Sequence, residues 1–140
     1  MTGHCAALTN GVAAAMVSHA RQEAPRECCG LLLGDGHHVV HSVPARNIAE
    51  DPTRRYKVDP RDHLAAVRAA RLRSLDVIGA YHSHPRSAAI PSPTDAAEAF
   101  GEFLFVIIGL AVEPPDLTAW GWNNGNFMSV PLVRFGEGQG

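Results

Sequence analysis

Apolar and polar positions change period several times along the chain. From Asn10 to Glu23, Val12, Met16 and Ala20 recur at helical spacing, and Arg21 and Gln22 suit a solvent face. Thr9 or Asn10 can cap this helix. Ala24-Pro25 stops it, because the residue before a proline avoids helical geometry. Before it, Met1 to Ala7 reads as an irregular start with a short strand. After it, Cys28-Cys29-Gly30-Leu31-Leu32-Leu33-Gly34 is a continuous apolar run, the pattern of a buried strand. Asp35-Gly36 fits a tight turn, with His37 to Val43 as the return strand.

Pro44 to Arg55 is a polar, proline-punctuated loop, and Tyr56-Lys57-Val58 a short strand. Asp59-Pro60-Arg61-Asp62 is a helix start. That helix is expected to run to about Arg73, with Leu64, Val67 and Leu72 toward the core. Arg61, Arg68, Arg71 and Arg73 read as its solvated outer face. Leu75 to Tyr81 reads as a strand, Pro93 to about Phe100 as a short helix and Glu102 to Leu110 as a central strand. Leu117–Trp122 and Asn126–Val133 form a hairpin through Asn123-Asn124-Gly125, with Pro131 placing the last strand at an edge. Strands and helices interleave without repeat or linker. The expectation is one α/β domain over residues 1–140, a mixed sheet flanked by helices, with a frayed tail at 136–140.

Composition narrows the function. Apolar residues make up 46% and the formal net charge is −2, an ordinary globular balance that argues against a general nucleic-acid binder. No apolar run reaches the ~20 residues of a membrane span, and no secretory signal is visible. Three cysteines, two of them adjacent, do not make a disulfide framework and point to a reducing cytoplasm. Cys28 and Cys29 read as packed small side chains, and His37, His38 and His41 as surface positions on a hairpin.

The chemistry concentrates in Tyr81-His82-Ser83-His84-Pro85 and its continuation to Asp95. In a strand, residues i and i+2 share a face, with Cα atoms roughly 6–7 Å apart. Two imidazoles so placed can lean onto one cation, each about 2.0–2.1 Å from a zinc ion. Asp95 can add a carboxylate oxygen, leaving one tetrahedral position for water, as in a catalytic site. A His-x-His pair arises easily in a chain with 8 histidines, so its neighbours carry the weight. Ser92-Pro93-Thr94-Asp95 also has a structural reading. Ser92 is the N-cap, Pro93 sits at N1 and Asp95 closes a capping box. Glu27 is ambiguous from its surroundings: a lone charge before a strand is usually a solvated end.

Glu27, His82-Ser83-His84-Pro85 and Ser92-Pro93-Thr94-Asp95, with the aspartate 11 positions after the second histidine, resemble the JAMM (MPN-plus) metalloprotease motif. Glu27-Cys28-Cys29-Gly30-Leu31-Leu32-Leu33-Gly34, Pro44-Ala45-Arg46-Asn47-Ile48-Ala49 and Tyr56-Lys57-Val58-Asp59-Pro60 look like the compact bacterial members, so the resemblance covers about Thr9 to Phe135. It implies the JAMM/MPN fold, an α/β sandwich related to cytidine deaminases. It implies zinc on His82, His84 and Asp95, Glu27 as general base and Ser92 as oxyanion donor. A base deaminase is disfavoured, since His-x-Glu and Pro-Cys-x-x-Cys are missing.

The resemblance further implies a zinc peptidase or isopeptidase acting on the C-terminal tail of a small ubiquitin-like, β-grasp sulfur-carrier protein with a diglycine end. A sheet edge near the metal would hold that tail by strand addition. Release of a single cysteine from the carrier, a non-catalytic MPN scaffold, and a RadC-like DNA-associated protein stay open beside it. So does the choice between monomer and homodimer.

Overall fold

The computed structural model describes residues 5–98 and 103–136. The elements are β1 (Ala6–Thr9), α1 (Asn10–Glu23), β2 (Cys29–Asp35), β3 (His38–Ala45), α2 (Pro60–Leu72), β4 (Asp76–His84), α3 (Pro93–Glu98), β5 (Leu104–Gly109), β6 (Asp116–Asn123), β7 (Asn126–Val130) and β8 (Leu132–Phe135). They form the expected mixed sheet flanked by helices, with strands in the order β7-β6-β5-β4-β2-β3-β1-β8. β4 runs parallel to β5 and antiparallel to β2.

Two helix starts form as their residues dictate. The Thr9 side chain accepts the Val12 N–H at 3.1 Å, and Asp59 caps α2 by accepting the Arg61 N–H at 2.9 Å, with Pro60 in the first turn.

β7 and β8 lie at opposite ends of the sheet, yet only Pro131 separates them along the chain. The sheet therefore curls until its two ends approach. The concave side closes around α1: Val12, Met16 and Ala20 pack with Leu8, Leu32, Val39, Tyr81, Val106, Ile108 and Ala119. The other side carries α2, whose Ala66 and Ala70 pack on Leu31, Leu33, Ala80 and Phe105. Alternation through Cys28 and β2 divides the residues between these cores, with Cys28 and Leu32 on one and Leu31 and Leu33 on the other.

Several expectations are corrected. Leu64 and Leu72 do not face the core; they are 51% and 89% exposed, and the alanines of α2 make its contact. Small residues let a helix sit close on a sheet, and the leucines lie on the turn that close approach leaves outside. The strand expected over Asn126–Val133 is two strands, because Pro131 has no N–H to continue one ladder. Residues 56–58 form a single bridge, Asn47 to Val58, instead of a strand. The strand with the histidines is longer than expected and carries both of them within it. Phe100, Glu102 and residues 137–140 lie outside the described residues. His37 and His38 are exposed as expected, the latter edge-on to Phe135 at 4.9 Å, and Cys28 and Cys29 are buried thiols.

The backbone of β4 leaves no room at Gly79, where a Cβ would strike the Leu104 carbonyl oxygen of β5. Gly79→Ala is expected to cost about 1–3 kcal/mol by overpacking. Leu72→Ala, on an exposed site, should stay within about 0.5 kcal/mol. Urea unfolding of both variants checks the pair.

Candidate functional site

The site is built at the carboxyl end of β4. Cys29 pairs with His82 and Leu31 with Ala80 across the β2–β4 ladder. Ser83 N–H continues it to the Cys28 carbonyl at 3.1 Å. Two residues further the same register sets Glu27 across from His84, and side-chain alternation puts Glu27, Cys29, His82 and His84 on one face. Of the two readings the sequence left open for Glu27, the solvated end is not the one the structure shows. Glu27 is 6% exposed, and its Oε1 is buried without a hydrogen-bond partner among the described residues.

Asp95 arrives from the other direction. Asp95 N–H donates to Ser92 Oγ at 3.0 Å, and Ser92 N–H donates to Asp95 Oδ2 at 2.9 Å, a reciprocal capping box at the start of α3. The loop before it is pinned at Ala89, whose carbonyl accepts the Thr118 hydroxyl at 2.7 Å.

His82, His84 and Asp95 are all buried and form the one group of three metal-capable side chains among the described residues. His82 Nε2 and His84 Nε2 are 3.2 Å apart; His82 Nε2 lies 3.1 Å from Asp95 Oδ1, and His84 Nε2 lies 3.1 Å from Asp95 Oδ2. A tetrahedral zinc ion with bonds of about 2.0–2.1 Å sets its ligands about 3.3–3.4 Å apart. The triangle is already close to that size. The tautomer argues the same way. His84 Nδ1 lies 2.8 Å from the Ala88 carbonyl, which can only accept, so Nδ1 carries the proton. Neutral His84 then turns a bare Nε2 lone pair toward His82 and a carboxylate. Electron-rich atoms packed this closely in a buried place fit a cation among them. The unpartnered Glu27 oxygen fits a water or a reacting group beside it.

Electrostatics follow from burial and these contacts. Burial holds the His82 imidazole below its usual pKa, against the pull of Asp95. At His84 burial also opposes charge, but Asp95 and the Ala88 carbonyl outweigh it and the pKa rises. Burial works against the Asp95 carboxylate, yet His82, His84 and the Ser92 N–H hold it well below the usual range. Burial pushes Glu27 up to about 7; His84 pulls it down and the Asp95 carboxylate raises it. A carboxyl group poised there can both take and return a proton near neutral pH.

The structure thus gathers Glu27, His82, His84, Asp95 and the half-buried Ser92 at one end of the sheet. It also brings in a residue to which sequence reasoning gave no role: the Tyr56 ring stacks on His82 at 4.2 Å and 17°. Its only signal was the Tyr-Lys-Val-Asp-Pro string. Among the described residues the site does not lie on an outer strand of the sheet. β4 is paired on both sides, and the edges β7 and β8 lie three and four strands away.

Comparison with known proteins agrees with this geometry. The family described as prokaryotic homologs of the JAB domain matches residues 9–123. A desampylase of Haloferax volcanii is 32% identical over 84% of this chain and 88% of its own length. A probable TtuB-protein conjugate cleaving protease of Thermus thermophilus is 37% identical over 66% of this chain and 62% of its own. The solution structure of a Desulfitobacterium hafniense protein, 31% identical, superposes with a TM-score of 0.84 over 94% of this chain and 93% of that one. Motif, fold and relatives coincide, and the chain belongs to the prokaryotic branch of the JAB, or JAMM/MPN, family.

Proposed function

We propose that this protein is a zinc-dependent peptidase or isopeptidase that hydrolyses an amide bond at the C-terminal tail of a small ubiquitin-like protein of the sulfur-carrier type, ending in diglycine. The observation that carries the reading is the buried Glu27 oxygen, without a hydrogen-bond partner among the described residues, on the same face as three converging metal-capable atoms. The substrate class rests on relatives named a desampylase and a probable TtuB-protein conjugate cleaving protease. No helix among the described residues is long and apolar enough to cross a membrane, and the three cysteines are free thiols, which suits a cytoplasmic enzyme.

His82 Nε2, His84 Nε2 and a carboxylate oxygen of Asp95 would hold the ion. When bound, zinc supplies Lewis acidity, which acidifies water toward a pKa of about 7 and polarises a carbonyl. The chain's own groups do the rest. Glu27 takes the proton of the attacking water and returns it to the leaving nitrogen. Its buried position keeps the carboxyl ready for both transfers, since bulk water does not hold it in one state. Ser92 Oγ already accepts the Asp95 N–H, so its own hydroxyl proton is left for the oxygen that gains charge as the amide is attacked. The Ala88 carbonyl and the Tyr56 ring orient the two imidazoles toward the ion's place.

Three outcomes are expected. Glu27→Gln retains stoichiometric zinc but turns over a carrier-tail fusion about 100- to 10,000-fold more slowly, the usual contribution of a general acid–base. Mass spectrometry of the products reads the rate and locates the cut; normal turnover would remove Glu27 from the mechanism. Chelation abolishes hydrolysis and one equivalent of zinc restores it, whereas Asp95→Asn binds zinc more weakly by direct titration. Zinc affinity also falls with pH. The ligand nitrogens must be unprotonated, and because the His84 pKa is raised, its proton competes with the ion from a higher pH than a free imidazole's would. Calorimetric titration at pH 8 and pH 5.5 should show weaker binding at the lower value, and equal affinities would contradict the ligand set.

A further inference from the structure

Glu27 is held by its backbone, and the group that holds it is a side chain. Asn47 Nδ2 donates to the Glu27 carbonyl at 2.9 Å and to the Arg55 carbonyl at 3.0 Å. Asn47 Oδ1 accepts the Ala49 N–H and the Lys57 N–H, each at 3.0 Å. An amide side chain has two donor hydrogens and two acceptor lone pairs, and here all four are used. Three of these bonds close the 46–58 loop on itself, and the fourth ties that loop to Glu27. The loop returns a second hold, since Glu27 N–H donates to the Pro52 carbonyl at 2.7 Å. The same loop presents Tyr56 to His82. Glu27 precedes β2, beyond the last paired residue of the ladder, so the register turns it toward His84 while these contacts hold its backbone in place.

We infer that Asn47 is a positioning residue for the reaction: it locks the 46–58 loop against Glu27 and so fixes the general base beside the metal ligands. The inference rests on the reading of Glu27 as base. A carboxyl displaced by about 1 Å loses about 100-fold in rate even with the chemistry intact. Asparagine is suited to the position because aspartate would keep the two acceptor bonds but lose both donors and set a charge against two carbonyl oxygens.

The test uses the zinc-loaded full chain and a carrier-tail fusion as substrate. Asn47→Ala and Asn47→Asp should keep stoichiometric zinc and leave KM within about twofold while kcat falls about 100-fold. In the metal-free protein, hydrogen exchange at the Glu27 amide should accelerate while the β2–β4 ladder stays protected. In a Glu27→Gln background, Asn47→Ala should slow the residual rate no further, because its effect passes through the carboxylate. An undiminished kcat, an equal loss with and without the Glu27 carboxylate, a loss of zinc that accounts for the rate, or failure of both variants to fold would each overturn the inference. Normal turnover by Glu27→Gln alone would instead overturn the assignment of the base. A slow Glu27→Gln with a fast Asn47→Ala would overturn only the role given to Asn47.

Discussion

The pairing of β2 with β4 governs this molecule. One ladder sets Cys29 against His82, and everything chemical follows from extending it by two residues. Antiparallel pairing makes the end of one strand the neighbour of the other's start. A residue before β2 thus meets a residue at the end of β4, although they are 57 positions apart. A slip of one residue would turn Glu27 to the α1 side and leave the histidines without an acid. The ladder does shift, between Leu32 and Leu33, but beyond the site. The register that matters is held by buried leucines on both faces of β2 and by the Ser83 hydroxyl, which accepts the Cys28 N–H at 2.8 Å.

Several parts of the site serve structure and chemistry together. The capping box that starts α3 is also what aims Asp95, because Oδ2 takes the Ser92 N–H and faces His84 at once. α3 is short, with 6 residues, and its cap is worth about 1 kcal/mol to a helix. Its greater effect is geometric, since it removes the rotational freedom of the Asp95 side chain. The hydrogen bond from His84 to Ala88 acts likewise by choosing a tautomer. Away from the site, the Arg46–Asp62 pair anchors the 46–58 loop to α2: two guanidinium contacts of 3.0 Å and the Arg46 N–H lower the Asp62 carboxyl to about 2. Exposed pairs of this kind contribute little to stability. Here the pair's value is to fix one end of the loop that reaches Glu27 and His82.

Burial does a second kind of work. His82, His84, Asp95 and Glu27 are all withdrawn from water in a domain of modest charge. Burial of such groups is unfavourable unless they are paired or bound to an ion. The same withdrawal lifts the Glu27 carboxyl and holds the His82 imidazole below its usual pKa. The states that make the isolated site costly are the ones that suit proton transfer and metal binding.

Much of this was legible along the chain. The caps at Thr9 and Asp59, the apolar run of β2, the His-x-His spacing and the Ser92–Asp95 box are local, because hydrogen-bonding and period-2 alternation act over a few residues. The family string named Glu27 as well, but the residue's own surroundings suggested an ordinary exposed charge. Only the fold decided that it is buried, since its neighbours come from β4 and from the 46–58 loop. The fold alone also assigned Tyr56 and Asn47 their places, exposed Leu64 and Leu72 by letting alanines make the contact of α2, and sent the strands on either side of Pro131 to opposite ends of the sheet. Short-range preference wrote the pieces. Which pieces meet was settled by strand register and by which side of the sheet each helix covers, and neither is encoded in any one segment.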